Sequence, residues 1–301
     1  MISVIIPSYN SETTIQKCLD SLMNQTYEGG YEIIVVDSST DNTPNLVSSI
    51  YPHIRLVHLE KKTDPGTARN IGVGEAKGDT IAFIDADCVA SPGWLEGLEQ
   101  AHQGENEVVG GAVKNGNSPN DHVGFAGYIA EFREFLPKGP TRLVRHLPTC
   151  NISYKRLIFD RFGMFEGEYY PQEDLVFNYN LWKNGIRILM DPSIQIAHYH
   201  RSDIRDFLSH QKTIGRATSR ALKVTKLPGF FIVTHPGLAL LIIPLLPVVK
   251  FTRTVYSFLK YQPKTILTRP LALGVFVLGL FSWTVGFAQE IYSGQSTCPR
   301  K

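Results

Sequence analysis

Two aspartates, Asp85 and Asp87, stand one residue apart at the end of the apolar run TIAFIDAD (80–87). An ionised carboxylate at the edge of a buried strand is costly unless a partner offsets its charge. Carboxylates that flank one small residue can share a cation such as Mg²⁺ or Mn²⁺, whose other ligands are typically water and phosphate oxygens. The pair therefore predicts a metal site that binds phosphate. The alternative is a structural pair of carboxylates.

A second pair of acidic residues, Glu173 and Asp174, opens a predicted helix after the loop EGEYYPQ (166–172). A carboxylate at the mouth of a site can act as general base towards an attacking hydroxyl group. The other interpretation is that both side chains only favour the positive end of the helix dipole.

The elements that must position these residues alternate along the chain. Strands are predicted at SVIIP (3–7), YEIIVVD (31–37), IRLVHLE (54–60) and TIAFIDAD (80–87), with helices between them, and two short strands at IRILMDP (186–192) and IQIAHYH (194–200). This alternation predicts an α/β fold, with a mainly parallel sheet and helices on both faces. Such sheets bind ligands at the carboxyl ends of their strands. Asp37 and the Asp85/Asp87 pair stand at two such ends.

Five segments in this order resemble the family 2 glycosyltransferases, which have the GT-A fold. They are SVIIPSYN, VVDSSTDNT, GTARNIGVGEAKGD, FIDAD and PQEDLVFNYNLWKNG, and the resemblance covers about residues 1–200. The resemblance implies that the loop after the first strand and the aspartate after the second hold a nucleotide. Those residues are Pro7, Tyr9, Asn10 and Asp37.

The resemblance also assigns roles to the acidic residues. It implies that Asp85 lies near the ribose and the metal, and that Asp87 ligates a divalent cation, Mg²⁺ or Mn²⁺, which bridges the diphosphate. It makes Asp174 the catalytic base, supported by Glu173. His198 is the expected further metal ligand, although a histidine in a strand is more often structural. Arg69 and Asn70 are expected to contact the diphosphate or the ribose, and the alternative for Arg69 is a surface or capping role.

The implied reaction is an inverting, metal-dependent transfer of one sugar from a nucleoside-diphosphate sugar to a hydroxyl acceptor. Gln211 and Arg216 resemble part of the Q-x-x-R-W signature of processive synthases, but the tryptophan is missing. This favours a non-processive enzyme. Two other functions are weighed: a catalytically silent membrane scaffold with the same fold, and a nucleotidyltransferase, which would need a glycine-rich basic loop after the first strand.

The overall composition argues against a nucleic-acid-binding protein and against a protein held together by disulfides. The 301 residues carry a net charge of +2, and residues 1–200 contain no basic stripe, so nucleic acid is not an expected partner. Cys18, Cys88, Cys150 and Cys298 form no C-x-x-C pair, which predicts free thiols in a reducing compartment.

Two apolar segments, at about 229–249 and 270–289, contain no Asp, Glu, Lys or Arg. A membrane-spanning helix needs about 20 apolar residues, so both predict membrane contact. A two-span hairpin is expected, and the alternative is a re-entrant or interfacial first segment with an amphipathic helix at 251–261. The alternative to membrane contact is a buried helical hairpin. The expected location is the cell membrane, with the catalytic domain facing the cytoplasm and a lipid-linked sugar or glycan as acceptor. A tail that only concentrates the enzyme at the membrane is the other interpretation.

The expected organisation therefore has three parts. Residues 1–110 form a donor-binding half and 111–225 an acceptor-binding half of one GT-A domain, and 226–301 form the membrane-associating tail.

Overall fold

The computed structural model describes residues 1–293, so Cys298 lies outside the described residues. The chain forms two compact units. The first unit consists of Met1–Gly116 with Pro137–Tyr199, and the second of Asn117–Leu136 with the described residues from His200 to Ser293. The expected donor and acceptor halves were defined by ligand and not by compactness, so they stay a prediction.

The first unit contains one sheet of nine strands. The strands are β1 (Ile2–Ser8), β2 (Tyr31–Asp37), β3 (Arg55–His58), β4 (Thr80–Phe83), β5 (Cys88–Ala90), β6 (Val108–Asn115), β7 (Arg142–Val144), β8 (Ile152–Lys155) and β9 (Ile188–His198). Their order is β3-β2-β1-β4-β8-β6-β9-β5, and β7 pairs with β9. Strands β1 to β4 are parallel, as expected, whereas the second half of the sheet is mixed. The α/β prediction is confirmed.

Six helices belong to the first unit. They are α1 (Ile15–Met23), α2 (Thr43–Ile50), α3 (Pro65–Glu75), α4 (Trp94–His102), α6 (Leu157–Phe162) and α7 (Glu173–Lys183). The period of the apolar residues explains α1, which buries Ile15, Cys18, Leu19 and Leu22. Helix α3 begins at Pro65 because Asp64 caps it, accepting a hydrogen bond from the backbone N–H of Thr67.

The fourth predicted strand is shorter than expected. It ends at Phe83 and not at Asp87, because the chain turns where the N–H of Cys88 donates to the carbonyl oxygen of Asp85. Both aspartates therefore lie in the turn between β4 and β5, outside the sheet pairing.

The two short strands predicted at 186–192 and 194–200 are one strand, β9. A β-bulge joins the two registers: Gly111 of β6 lies opposite Asp191, whereas the next residue, Ala112, lies opposite Gln195. Residues 192–194 fall between the two registers, and a side chain at position 111 would overlap the carbonyl oxygen of Ile194.

The second unit is helical over its described residues. It contains α5 (His122–Glu131), α8 (Ile204–Thr225), α9 (Phe230–Thr234), α10 (Pro236–Ile242), α11 (Leu246–Tyr261), α12 (Pro263–Leu267) and α13 (Pro270–Ser293). The expected apolar segment 229–249 is broken into α9, α10, a 3₁₀ turn at Ile243–Leu245 and the start of α11. Prolines cause the breaks, because proline cannot donate the helical hydrogen bond. Pro236–Tyr261, with 26 residues, and Pro270–Ser293, with 24, are long and apolar enough to cross a membrane.

Candidate active site

Asp37, at the carboxyl end of β2, is fully buried and organises the first part of the site. Its carboxylate accepts hydrogen bonds from the N–H of Ser39 (3.1 Å) and from the Ser39 hydroxyl (2.5 Å), and it lies 2.8 Å from Nδ1 of His58. His58 was missed in the sequence analysis. The parallel register, which pairs Asp37 with His58 at the ends of β2 and β3, was the signal that could have found it.

The loop after β1 is tied to the loop after β2. Asn10 has a positive φ of 51°, which asparagine tolerates better than most residues. Its N–H donates to the Ser39 hydroxyl at 2.7 Å, and its Oδ1 accepts from the N–H of Thr40 at 2.9 Å. Pro7 is buried within β1, whereas the Tyr9 ring is exposed, with Nζ of Lys62 at 4.1 Å from its centroid. Asn10 and Asp37 are thus joined through Ser39, and the exposed Tyr9 stands beside Asn10 with Lys62 over its ring.

Arg69 joins the two pairs of acidic residues. Its side chain is only 4% exposed; Nη2 donates to Asp85 at 2.7 Å and Nη1 to Glu173 at 2.9 Å. Both terminal nitrogens are thus held by carboxylates. The structure gives Arg69 a positioning role, and its expected contact with the diphosphate stays a prediction.

Glu173 is almost completely buried at the first position of α7. Burial raises the pKa of its carboxyl group to about 7, although the Arg69 cation opposes the shift; the neighbouring Asp174 charge raises it further. Its Oε2 is also buried without a hydrogen-bond partner among residues 1–293. An uncompensated carboxylate oxygen of this kind favours the neutral acid.

Asp174 is partly exposed, beside Glu173. Its Oδ2 accepts from the N–H of Thr149 at 3.1 Å, and its Oδ1 accepts from the N–H of Leu175 at 2.7 Å. These two bonds fix the carboxylate while leaving part of it open to solvent.

Aromatic packing sets the position of α7. The ring of Phe177 in α7 lies 4.8 Å from that of Phe165 and 5.6 Å from that of Phe159, and both of these contact Phe83 of β4. Asn70 holds the same group: its Nδ2 donates to the carbonyl oxygen of Phe165 at 2.8 Å, and its Oδ1 accepts from the N–H of Phe165. Since its amide is engaged there, the expected contact of Asn70 with the nucleotide stays a prediction.

A candidate metal centre lies at Asp87, where strand pairing of β5 with β9 brings His198 opposite Cys88. Nε2 of His198 lies 3.5 Å from Oδ1 of Asp87, and Sγ of Cys88 lies 3.7 Å from the same oxygen. The three ligand atoms lie within 4.8 Å of one another. An oxygen and an imidazole nitrogen suit Mn²⁺ and similar divalent ions, so these residues fit the expected metal. The sequence analysis did not place Cys88 beside Asp87, because the position of its thiol depends on the turn at 84–87.

The charge of the site also favours a cation. The described residues here include four carboxylates, those of Asp85, Asp87, Glu173 and Asp174, and Arg69 pairs with only two of them. Burial leaves Glu173 partly neutral, yet Asp87 and Asp174 keep carboxylate oxygens open to solvent. The arrangement can bind a divalent ion with phosphate and place a base near it.

A family model and several known proteins match the sequence of this chain. A family model described as Glycosyl transferase family 2 matches residues 3–163. Glycosyltransferase AglE of Haloferax volcanii is 36% identical over 119 residues, which are 38% of this chain and 39% of that protein. A dolichyl N-acetyl-alpha-D-glucosaminyl phosphate 3-beta-D-2,3-diacetamido-2,3-dideoxy-beta-D-glucuronosyltransferase of Methanococcus voltae is 26% identical over 248 residues, which are 76% of this chain and 75% of that protein. The match to AglE, like that to glycosyltransferase GlyG of Streptococcus pneumoniae, spans about two fifths of the relative's length.

Solved structures share the fold. S. aureus TarS 1–349 in complex with UDP has a TM-score of 0.54 at 20% identity, covering 98% of this chain and 92% of that one. The mannosyltransferase PcManGT from Pyrobaculum calidifontis, in complex with GDP-Man and Mn²⁺, has a TM-score of 0.62 at 17% identity, covering 97% and 87%.

Proposed function

Because the chain belongs to glycosyl transferase family 2 and has the GT-A fold, we propose that it transfers one sugar from a nucleoside-diphosphate sugar to a hydroxyl acceptor, with inversion at the anomeric carbon. One observation carries the proposal: Arg69 contacts both Asp85, beside the candidate metal centre, and Glu173, beside the candidate base. The donor side and the acceptor side are therefore held together by one buried ion-pair network.

In this proposal Asp87 and His198 hold a divalent cation, and Asp85 faces the ribose and the metal. When bound, the cation supplies positive charge that offsets the developing charge of the leaving diphosphate. The ligands bound to the fold relatives, UDP, UDP-GlcNAc and GDP-Man with Mn²⁺, support this class of donor. Cys88 would contribute a softer atom close to the ion.

The nucleotide lies, in this proposal, against the loops after β1 and β2. Tyr9 supplies an exposed ring, and Asn10 and Asp37 keep the two loops in place through Ser39. Pro7 is buried in β1, one residue before the strand ends. The buried state of Asp37 favours a role in shaping the loop, since neither of its oxygens faces solvent.

Asp174 is the proposed base. It takes the proton of the acceptor hydroxyl as that oxygen attacks the anomeric carbon from the side opposite the diphosphate; a single displacement of this kind inverts the configuration. The N–H groups of Thr149 and Leu175 orient its carboxylate. Glu173 positions the start of α7 through its ion pair with Arg69.

We also propose a location and an acceptor class. In this proposal the enzyme lies at the cell membrane, held there by the apolar helices of its tail, with the site on the cytoplasmic side, where nucleotide sugars are made. The acceptor is a lipid-linked sugar or a glycan, and the Methanococcus voltae relative, whose name describes transfer to a dolichyl phosphate sugar, supports this class. Transfer is non-processive, because the sequence after Gln211 lacks the tryptophan of the processive signature.

The alternatives have less support. A nucleotidyltransferase would need a glycine-rich basic loop after β1, and the sequence there is PSYNSETT. A silent scaffold would not need the Arg69 network, since burying an ion pair contributes little net stability.

The first test is calorimetric titration of the detergent-purified chain with nucleoside diphosphates, with and without Mn²⁺. We expect one nucleotide to bind in a metal-dependent manner, and Asp87→Asn to lose that binding. Asp160→Asn, an exposed aspartate on α6, is the matched control. Failure of every nucleotide to bind would favour the scaffold.

The second test separates binding from chemistry. Asp174→Asn should keep metal-dependent nucleotide binding and lower transfer by about 10²- to 10⁴-fold, the usual contribution of a general base. Transfer at the native rate would remove Asp174 from the mechanism.

A further inference from the structure

Helix α13 packs along α8, a charged helix of the second unit. The Ser282 hydroxyl donates to the carbonyl oxygen of Leu208 at 2.6 Å, and further along Nη2 of Arg216 donates to Oε1 of Gln289, also at 2.6 Å. The residue numbers of the contacts increase along both helices, so the two helices run in the same direction. From Leu208 to Arg216 the contact already covers two turns of α8.

The two backbones approach closely. A side chain at Gly215 of α8 would overlap the carbonyl oxygen of Trp283, and one at Gly286 of α13 would overlap that of Lys212. Near the end of both helices, Nε of Arg220 lies 4.0 Å from Oε1 of Glu290. This is continuous side-by-side packing, and it extends to the polar end of α13.

The segment before α13 contacts α5. Oε1 of Gln262 accepts from the Tyr128 hydroxyl at 3.0 Å, and the guanidinium carbon of Arg269 lies 3.9 Å from the ring centroid of Phe125. In a two-span hairpin, Gln262 and Arg269 would bound the external loop. Here both lie against a helix of ten residues, about 15 Å long.

The start of α5 is in turn tied to the start of α8. Nδ2 of Asn117 donates to the carbonyl oxygen of His200 at 2.8 Å, and the N–H of His200 donates back to Oδ1 of Asn117. Asp121, which caps α5, accepts from the Ser202 hydroxyl at 2.5 Å.

A transmembrane α13 would therefore carry α8 with it. Helix α8 contains five cations: Arg205, Lys212, Arg216, Arg220 and Lys223. A charged residue at the bilayer centre is strongly disfavoured. A bilayer core of about 30 Å is also thicker than the length of α5, which contacts the loop before α13 and is tied to the start of α8, so this loop and the start of α8 lie on one side of the membrane. Neither apolar segment can then cross the membrane while these contacts persist.

We propose that the tail is monotopic: residues 236–293 lie in the cytoplasmic leaflet of an anionic bilayer, and neither apolar segment spans it. This rests on the membrane association given above as part of the proposed function. The exposed apolar side chains on these helices include Leu240, Leu241, Leu245, Val248, Leu267 and Leu271. Residues 228–289 carry five cations and no acidic residue. Lys250 lies over the ring of Trp283 and Arg253 pairs with Glu134, whereas Lys260 and Lys264 are exposed and complement anionic headgroups.

The test is labelling with a membrane-impermeant maleimide, in the full chain with Cys298→Ser. Cys18, Cys88 and Cys150 are buried and give little background. Lys264→Cys places a thiol in the loop before α13, and Lys183→Cys places one on α7; both positions are exposed.

We expect both thiols to be labelled in inverted vesicles, with loss of labelling of both in intact cells. Labelling of Lys264→Cys alone in intact cells would establish the hairpin and overturn the proposal. Labelling of both in intact cells would support the one-sided tail while overturning the cytoplasmic orientation. A chain that stays in the soluble fraction would overturn the membrane association and, with it, this inference.

Sedimentation with lipid vesicles gives an independent test. Leu240→Glu combined with Leu241→Glu, at side chains 65% and 74% exposed, should cause loss of binding to anionic vesicles. Leu143→Glu, at an exposed position of β7, is the control and should bind as the native chain does. Unchanged binding of the double variant would contradict insertion of this face.

Discussion

Arg69 is the residue that links the two acidic pairs of the candidate site. Its expected contact with the diphosphate or the ribose stays a prediction, and the structure shows that its side chain is buried, with both terminal nitrogens engaged with Asp85 and Glu173. A buried arginine between two carboxylates neutralises part of the charge that a metal site accumulates. Arg69 therefore sets the geometry in which Asp85 and Glu173 are held.

Replacement of Arg69 by methionine should destabilise the fold by about 3–5 kcal/mol, because Asp85 and Glu173 both lose the buried cation that pairs with them. Arg69→Lys should cost less, since one cation still reaches one of the two carboxylates. Thermal unfolding of the purified variants measures both. Equal unfolding temperatures for the methionine variant and the native chain would show that the network contributes nothing.

The raised pKa of Glu173 predicts how the free energy of unfolding depends on pH. Its pKa in the folded chain is raised from 4.5 to about 7, so the folded state holds the proton more tightly than the unfolded state. The stabilisation that the bound proton gives to the folded state is fully present below about pH 4.5 and is lost as the pH rises through about 7. Glu173→Gln stays neutral, so it should gain in unfolding temperature relative to the native chain between about pH 5 and about pH 8. A difference that does not change with pH would contradict the raised pKa.

At this scale the sequence predicted which residues line the edge of the sheet, but not all of their partners. Asp37 could be placed because it ends an apolar strand, and Asp85 and Asp87 because they follow one. His58 needed the register of β2 with β3, and Cys88 needed the turn that ends β4 at Phe83. The pairing of Arg69 with Glu173 joins residues 104 positions apart, a separation that no local pattern reports.

Among the elements, the α8–α13 pair depends most directly on glycine. Gly286→Ala should destabilise the second unit by about 1–3 kcal/mol, because its Cβ overlaps the backbone of α8. Gly274→Ala, on the same helix, meets nothing within 4 Å and should be neutral or stabilising, by up to about 1 kcal/mol. Limited proteolysis of the detergent-purified variants compares the two. Equal resistance would argue against close packing of these helices.

The limits of sequence analysis differ between elements. The first two strands were predicted at nearly their observed bounds, because each is a run of apolar residues, whereas β3 is shorter than predicted and is not buried. The tail was harder to predict from the sequence. The composition of α13 is that of a membrane span, and only its contacts with the charged helix α8 indicate that it does not cross the membrane. The break at Pro236 was visible as a proline, yet the continuation of α10 towards Tyr261 through a 3₁₀ turn was not.

For the whole molecule, net charge conceals an uneven distribution. A chain of net +2 contains a tail segment, 228–289, with five cations and no acid. Lys260→Gln combined with Lys264→Gln should weaken binding to anionic vesicles by about 2 kcal/mol, at about 1 kcal/mol for each lysine. Lys61→Gln with Lys77→Gln, at exposed positions of the first unit, should have no such effect. Equal weakening by both pairs would indicate general electrostatic attraction in place of a specific face.

The β-bulge of β9 has a consequence for how the gene tolerates insertions and deletions. Residues 192–194 are already out of register with β6, so a codon gained or lost there changes the size of a bulge. Between Gln195 and Ala197, loss of a codon would shift every later residue by one position and turn its side chain to the opposite face. His198 would then leave Asp87, although no residue of the candidate metal centre had been replaced. Screens of length variants should therefore yield active chains with changes at 192–194 and inactive ones with changes a few codons later.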